Sequence, residues 1–184
     1  MKLLEKIQTL QTLKSPNLNP KCYFNLYCGA NDTIWITGPN RWTTEVDRKG
    51  VILRRLRIYG GVRALCINSK GDAVFMSAFR CRKVFLLNDQ KIEVLLNLQD
   101  WRPRGICFGE NGDLFVSMRK KDLSESKVVR YKEGQAKHEY QFDGEGNNLY
   151  SLFTKYLLPL CQNRNGDICV ADTALNAVVV VNVE

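Results

Sequence analysis

Leu65-Cys66-Ile67-Asn68-Ser69-Lys70-Gly71-Asp72 is the first of three similar stretches that predict the fold. The same pattern, Leu/Ile-Cys-x4-Gly-Asp, returns from Ile106-Cys107 to Gly112-Asp113 and from Leu160-Cys161 to Gly166-Asp167. A degenerate copy lies upstream, where Asn31-Asp32 takes the place of Gly-Asp. The repeat interval is about 40 residues, with an insertion before the last copy. Such a period indicates a repeat architecture.

Each copy is typical of a small antiparallel sheet. An apolar stretch leads into the Gly-Asp pair, which suits a tight turn with positive φ. Further apolar runs follow at Ala73–Met76, Val84–Leu87 and Ile92–Leu96. Four short strands per 40 residues are typical of a β-propeller blade. We therefore predict an all-β chain with about four four-stranded blades, the last of which stops after its third strand.

The predicted blade boundaries follow the repeat. They lie at about 22–62, 63–103, 104–158 and 159–184, and residues 1–21 are expected to form a linker or the tail of a helix. An open propeller exposes an unpaired strand at each end, so we expect self-association through these edges.

The composition indicates a folded domain without a membrane segment. Of the 184 residues, 45% are hydrophobic and 25% are charged. No apolar run approaches the roughly 18 residues needed to span a bilayer, and Lys2 and Glu5 interrupt the apolar start that a signal peptide needs. Seven cysteines, none in a CxxC pair, favour a reducing compartment, so we expect a cytoplasmic protein.

The cysteines themselves are expected to be structural. Cys66, Cys107 and Cys161 recur at one place in the repeat, which favours packing in the core. Cys81 falls in a predicted loop and is expected to be the most exposed thiol.

Three runs of sequence resemble the NHL-repeat region of invertebrate, mollusc-type tripartite-motif (TRIM-like) proteins. They are Trp101–Cys107, Lys127–Tyr131 and Asn165–Asp172, within a likeness that extends from about residue 22 to 184. The resemblance implies a propeller of NHL type, which has six blades in that family. It also implies the substrate- or RNA-binding part of a RING-type ubiquitin ligase. With about four blades and no RING pattern, the chain is expected to be a fragment that carries the recognition part alone.

Basic residues gather in the segments that we predict to be loops on one propeller face. The chain carries 27 Lys and Arg against 19 Asp and Glu. Aromatic residues lie among the cations, with Tyr59 nearby. The candidate binding residues on this face are Arg41, Trp42, Arg63, Phe79, Arg80, Arg82, Lys83, Trp101, Arg102, Arg104, Arg119, Lys120 and Lys121.

Two kinds of partner suit this face. Cations neutralise phosphates and aromatic rings stack on unpaired bases, so single-stranded RNA is one candidate. A protein partner is favoured over RNA. The alternative without a binding role is a solvated loop surface, with the tryptophans packed between blades. Neither partner requires a cofactor, and we expect none.

No catalytic or metal site is evident in the sequence. Propeller lactonases hold calcium with oxygen ligands at the channel mouth, where this chain has Thr37, Ser77, Met118 and Asp172. One carboxylate among four makes a poor site, and Asp172 is expected to bond its own loop. The single histidine, His138, has no nucleophile motif with it. The chain is therefore predicted not to be an enzyme, with a degenerate propeller hydrolase as a remote alternative.

Overall fold

A computed structural model of the chain describes residues 25–29, 32–37, 41–77, 81–88 and 91–183. These residues form strands and turns, and no helix lies among them. The described ranges accordingly contain no helical span that could cross a membrane. The predicted linker or helix tail at residues 1–21 lies outside the described residues.

The strands follow one another at short intervals along the chain. In chain order they are β1 (Asn25–Cys28), β2 (Ile34–Thr37), β3 (Trp42–Val46), β4 (Ile52–Arg57), β5 (Val62–Ile67), β6 (Ala73–Ser77), β7 (Lys83–Asn88), β8 (Lys91–Asn97), β9 (Trp101–Phe108), β10 (Leu114–Lys120), β11 (Ser126–Lys132), β12 (Gln135–Tyr140), β13 (Leu160–Gln162), β14 (Ile168–Asp172) and β15 (Ala177–Val181).

The strands form four antiparallel sheets, each a simple meander. Three sheets have four strands, and the last, β13 to β15, has three within the described residues. The first strands of successive sheets contact one another, β1 with β5, β5 with β9 and β9 with β13. These strands form the inner wall, and the later strands of each sheet lie progressively outward. The predicted all-β propeller is confirmed.

The Gly-Asp turns have the predicted backbone conformation with positive φ. Gly71, Gly112 and Gly166 have φ of 86°, 77° and 88°. In the second blade the backbone N–H groups of Lys70 and Asp72 donate to Asn68 Oδ1, at 2.9 and 2.8 Å. Asn68 Nδ2 then donates to the Asp72 carboxylate at 3.0 Å. In this blade Asn68 accepts the backbone bonds, and Asp72 braces the turn by accepting from Asn68.

The core lies between the blades. Trp35 and Phe75 pack between the first and second sheets, Val74 and Val116 between the second and third, and Phe115 with its neighbours between the third and fourth. Buried apolar side chains at each interface supply the main force that holds successive blades together.

The cysteines only partly follow the predicted pattern. Cys107 is buried, whereas Cys66 is half-buried and Cys161 is exposed. Cys81, expected to be the most exposed thiol, is half-buried, while Cys28 and Cys161 are exposed. Residues at the same repeat position therefore differ in burial from blade to blade, because the neighbouring segments that cover them differ.

Gly105 marks the place where the insertion returns to the third blade. Ser117 Oγ donates to the carbonyl oxygen of Leu158 at 2.5 Å, and that oxygen would lie 2.4 Å from a Cβ built on Gly105. A side chain at position 105 would also lie 2.9 Å from Ser117 Oγ. Only glycine leaves room for Leu158 to cross β9 here.

We expect Gly105→Ala to lower the free energy of unfolding by about 1–3 kcal/mol, because backbone and methyl group compete for the same space. Denaturant unfolding followed by tryptophan fluorescence measures the change. Gly144→Ala is the matched control, since no atom lies within 4 Å of a Cβ there. An unchanged midpoint for Gly105→Ala would show that Leu158 is free to move away from β9.

Candidate anion-binding site

Two β-bulges project arginines from the inner wall of the propeller. In β5 the pairing with β6 jumps from Val62–Ser77 to Ala64–Met76, which leaves Arg63 as the extra residue. In β9 the pairing with β10 jumps from Met118–Pro103 to Ser117–Gly105, which leaves Arg104 as the extra residue. The two arginines occupy equivalent repeat positions. Bulges commonly re-aim a side chain beside a functional site.

The bulge arginines line one polar cavity of about 300 Å³, which we call the arginine pocket. Its cations come from the second and third blades and from the insertion, and it shares its wall with Ser77 and Cys81. Its described lining is Arg63, Ser77, Cys81, Arg102, Pro103, Arg104 and Lys155. Four of these side chains are cationic and none is a carboxylate. The charge of this lining is complementary to an anion.

The positive charges in this region repel one another. Burial, together with the charges of Arg119, Arg63 and Arg102, lowers the pKa of Arg104 to about 10. The buried Nε atoms of Arg102 and Arg104 have no hydrogen-bond partner among the described residues. A buried donor without a partner costs free energy that an anion in the pocket would recover.

Arg119 lies behind the pocket and is not on its surface. The sequence placed it in an exposed loop, but it lies in β10 with an exposed fraction of 0%. Its Nη1 donates to the carbonyl oxygen of Thr154 at 2.9 Å, and its Nη2 donates to Ser151 Oγ at 2.9 Å. The prediction that Arg119 is a surface cation was wrong, because the insertion covers its side chain.

Asp172 completes this buried cluster. Its carboxylate accepts from Ser151 N and Ser151 Oγ, both at 2.7 Å, and lies 3.9 Å from Arg119 Nη2. It also accepts from Ala174 N in its own loop, as expected from the sequence. Burial alone would raise the pKa of Asp172, but the bonds from Ser151 and Ala174 and the charge of Arg119 hold it below its usual value. The pair therefore stays ionised and mutually neutralised.

Lys155 is the pocket residue that the sequence analysis missed. It follows Thr154, whose carbonyl is held by Arg119, so the buried cluster fixes the segment that brings Lys155 to the pocket. It lies in an insertion outside the repeat, and no local pattern marks it. The only signal was the length of the insertion itself.

Several other predicted binding residues lie in strands and not in the expected loops. Arg63, Trp101, Arg102, Arg104 and Lys120 all belong to β5, β9 or β10. The loops are shorter than predicted because the inner strands extend to the face. The arginines nonetheless reach the pocket, since strand ends and bulges open onto the same side.

The two described tryptophans of the face are already engaged by cations. Arg55 lies 4.6 Å from the ring centroid of Trp42, and Lys127 lies 4.2 Å from that of Trp101. Both tryptophans are half-buried. In each pair the cation comes from the same sheet as the tryptophan, so the ring is covered from within its own blade.

The remaining candidates lie around the pocket rather than in it. Arg41 stacks 5.3 Å from the centroid of Tyr59, which is 80% exposed. Arg82 Nη1 donates to the carbonyl oxygen of Gln99 at 3.1 Å, and Lys120 pairs with Glu125. Lys83 and Lys121 are exposed. Phe79 and Arg80 lie outside the described residues.

An apolar cavity adjoins the arginine pocket. It has a volume of about 370 Å³ and shares Ser77 and Cys81 with the arginine pocket. Its other described lining residues are Arg57, Ile58, Tyr59, Phe75, Phe85 and Ile92. The face thus offers an apolar site directly beside a cationic one.

The positions equivalent to lactonase metal ligands do not assemble a ligand set among the described residues. Thr37, Met118 and Asp172 are buried, and the Asp172 carboxylate is occupied by Ser151 and Ala174. Within the described part of the chain, no three His, Cys, Asp or Glu side chains gather closely enough to hold a metal ion.

Comparison with known proteins supports the fold and no narrower family. No protein-family model matches the chain, and no curated protein does. A solved protein of unknown function from Bacteroides caccae is 16% identical, with a TM-score of 0.57 over 91% of this chain and 59% of its own. The Cps50 (Swd1) β-propeller domain of Myceliophteria thermophila is 11% identical, with a TM-score of 0.58 over 94% and 58%.

A third similar structure is an enzyme. The gluconolactonase XC5397 of Xanthomonas campestris is 15% identical, with a TM-score of 0.52 over 86% of this chain and 61% of its own. The chain spans about three fifths of the length of each of these three proteins. We predicted from the sequence that the chain is not an enzyme. That exclusion was wrong, because a gluconolactonase has the same fold. At this identity the likeness shows the fold alone.

We expect Asp172→Asn to lower the free energy of unfolding at pH 7 by about 3 kcal/mol, because it leaves the buried Arg119 without its counter-charge. The folded-state pKa of Asp172 lies below its ordinary value of 3.8, so its contribution is present above that value and is lost as pH falls through the folded pKa. The variant should therefore lose less stability than the parent between pH 5 and pH 3. Urea unfolding across this range tests both points, with the exposed Asp100→Asn as control. Equal acid sensitivity of the two proteins would contradict the assignment.

We expect Arg104→Met to raise Tm by about 2–4 °C in a low-salt buffer free of phosphate and sulfate, since it removes a repelled, partly desolvated charge. Scanning calorimetry measures the change. Arg164→Met, on an exposed turn of the opposite face, is the matched control and should leave Tm within about 1 °C. A lower Tm for Arg104→Met would mean that contacts of the guanidinium outweigh the repulsion.

Proposed function

We propose that the chain is a recognition module that binds a protein partner through the arginine pocket and the adjoining apolar cavity. The observation that carries this proposal is the shared wall of the two sites at Ser77 and Cys81. A peptide with an acidic side chain next to an apolar one would fill both. Peptide recognition commonly combines an apolar anchor with charge pairing in this way.

The wider context that we propose is that of a TRIM-like protein with NHL repeats. In it, this propeller would hold the substrate of a RING-type ubiquitin ligase in the cytoplasm. Support comes from the resemblance of Trp101–Cys107, Lys127–Tyr131 and Asn165–Asp172 to that family. The first of these runs contains Arg102 and Arg104, two of the pocket arginines.

Single-stranded RNA is the second candidate partner. The observation that favours it is Tyr59, an exposed ring with Arg41 stacked on it, which resembles a platform for a base. Against it, Arg55 and Lys127 already occupy Trp42 and Trp101, and Arg119 is unavailable to a phosphate. The paired apolar and cationic cavities therefore favour a peptide.

A fluorescent 12-residue peptide of alternating Glu and Phe tests the proposal. We expect it to bind with a Kd on the order of micromolar, and the matching Gln/Phe peptide to bind at least about tenfold more weakly. Phe85→Asp, in the apolar cavity, should weaken binding of the Glu/Phe peptide without changing the arginine pocket. Fluorescence anisotropy measures each affinity, and circular dichroism checks that the variant is folded.

Two outcomes would contradict the peptide proposal. One is equal affinity for the Glu/Phe and Gln/Phe peptides, which would mean that the cations play no part. The other is tighter binding of a 12-nucleotide oligouridine than of the peptide, with a steep fall of affinity as salt rises. The second outcome would favour RNA.

A further inference from the structure

The arginine pocket holds more positive charge than one carboxylate can balance. Arg63, Arg102, Arg104 and Lys155 line it. The buried carboxylate beside Arg119, that of Asp172, is committed to Arg119 and to Ser151. Four cations therefore face the cavity without a counter-charge from its described lining. An anion with one charge would leave most of this repulsion in place.

The donors of the pocket converge from independent structural elements. The bulges of β5 and β9 present Arg63 and Arg104 from neighbouring blades, and Arg102 lies beside the second bulge. Lys155 enters from the insertion. Cations that reach a cavity from several elements suit a tetrahedral oxyanion, which offers oxygens in more than one plane.

The backing of the pocket is rigid and neutral. Arg119 and Asp172 are both buried, and Ser151 joins them by accepting from Arg119 and donating to Asp172. Arg119 also holds the Thr154 carbonyl, so the backbone that leads into Lys155 is held by a contact within the protein. A preformed cationic site loses little entropy when an anion enters.

The cavity has room for a phosphate group and for part of the residue that carries it. Its volume of about 300 Å³ is that of roughly ten water molecules. A phosphate group would fill part of it, and the residue that carries the phosphate would extend toward Ser77 and Cys81, where the apolar cavity begins.

From this geometry we propose that the arginine pocket binds a phosphate monoester in its dianionic form, as carried by a phosphorylated side chain of the partner. This proposal rests on the proposed function and specifies the acidic group that the pocket recognises. A monoester carries a charge of about −1.5 to −2 at neutral pH and three terminal oxygens. A phosphodiester of nucleic acid carries one charge, and a carboxylate offers two coplanar oxygens.

The first experiment titrates the full chain with ethyl phosphate, diethyl phosphate and acetate at pH 7.5 in low salt. We expect ethyl phosphate to bind at least about tenfold more tightly than either monoanion, as measured by calorimetry. Arg102→Gln and Arg104→Gln should each weaken ethyl phosphate binding about tenfold or more. Arg164→Gln, the same substitution on the opposite face, should change it less than about twofold. Equal affinity for ethyl and diethyl phosphate, or an effect of Arg164→Gln as large as that of Arg104→Gln, would overturn the proposal.

A second measurement keeps the test independent of folding defects in the variants. The unaltered protein should bind ethyl phosphate about tenfold more weakly at pH 5 than at pH 7.5, because the second pKa of a monoester is about 6. Sulfate, which stays dianionic, should bind equally at both. The groups that face the anion are Arg63, Arg102, Arg104 and Lys155, with Cys81 at the rim. Behind them, Asp172 has a lowered pKa and stays ionised. Ethyl phosphate binding that does not change with pH would overturn the proposal.

Failure of this inference is distinct from failure of the proposed function. If the Glu/Phe peptide binds and ethyl phosphate does not prefer the pocket over acetate, the pocket recognises carboxylates and the phosphate assignment falls. A Glu/Phe peptide in which one Glu is replaced by phosphoserine should bind more tightly than its parent by at least about tenfold. Equal affinity of these two peptides would also overturn the phosphate assignment.

Discussion

The buried contact between Arg119, Ser151 and Asp172 is the interaction on which the candidate site depends. It joins the second strand of the third blade, the insertion and the second strand of the fourth blade. Without this contact, the insertion would have no polar anchor at this end of the propeller. Arg119 and Asp172 would then be buried charges without a partner to offset the cost of desolvation. Lys155 lies in the arginine pocket because this contact holds the preceding residue in place.

The site combines two opposed energetic requirements. A propeller interior is stabilised by apolar packing between blades, and this chain has such packing at all three described interfaces. At the mouth, however, Arg63 and Arg104 are brought together by bulges, although each disfavours the charge of the other. A fold under no other constraint would gain stability by replacing them. Repulsion of this kind is typical of sites where function is maintained at a cost in stability.

The sequence predicted the fold well because its signal is local and repeated. A Gly-Asp turn between apolar strands can be recognised from eight residues, and the turn glycines Gly71, Gly112 and Gly166 have the expected positive φ. It predicted the site only in part. Arg63, Arg102 and Arg104 were predicted as binding residues because they lie just before the repeat motif. Arg119 was predicted in a loop but lies buried in β10, and Lys155 was not predicted at all. Both errors have one cause, since the insertion that buries Arg119 and presents Lys155 contacts β10 across about thirty residues of chain.

Bulges explain why the arginines of the inner strands reach the face at all. In a regular strand, consecutive side chains alternate between the two neighbouring blades, so an arginine would be aimed at an apolar interface. An extra residue interrupts this alternation, and both bulges fall at the residue that precedes the Ala-Leu-Cys or Gly-Ile-Cys run. Leu158 holds the corresponding position in the last copy, where its carbonyl accepts from Ser117. The repeat therefore supplies a position that the second and third blades use for a cation, at a bulge in the ladder. The fourth blade uses the same position to dock the insertion on Ser117.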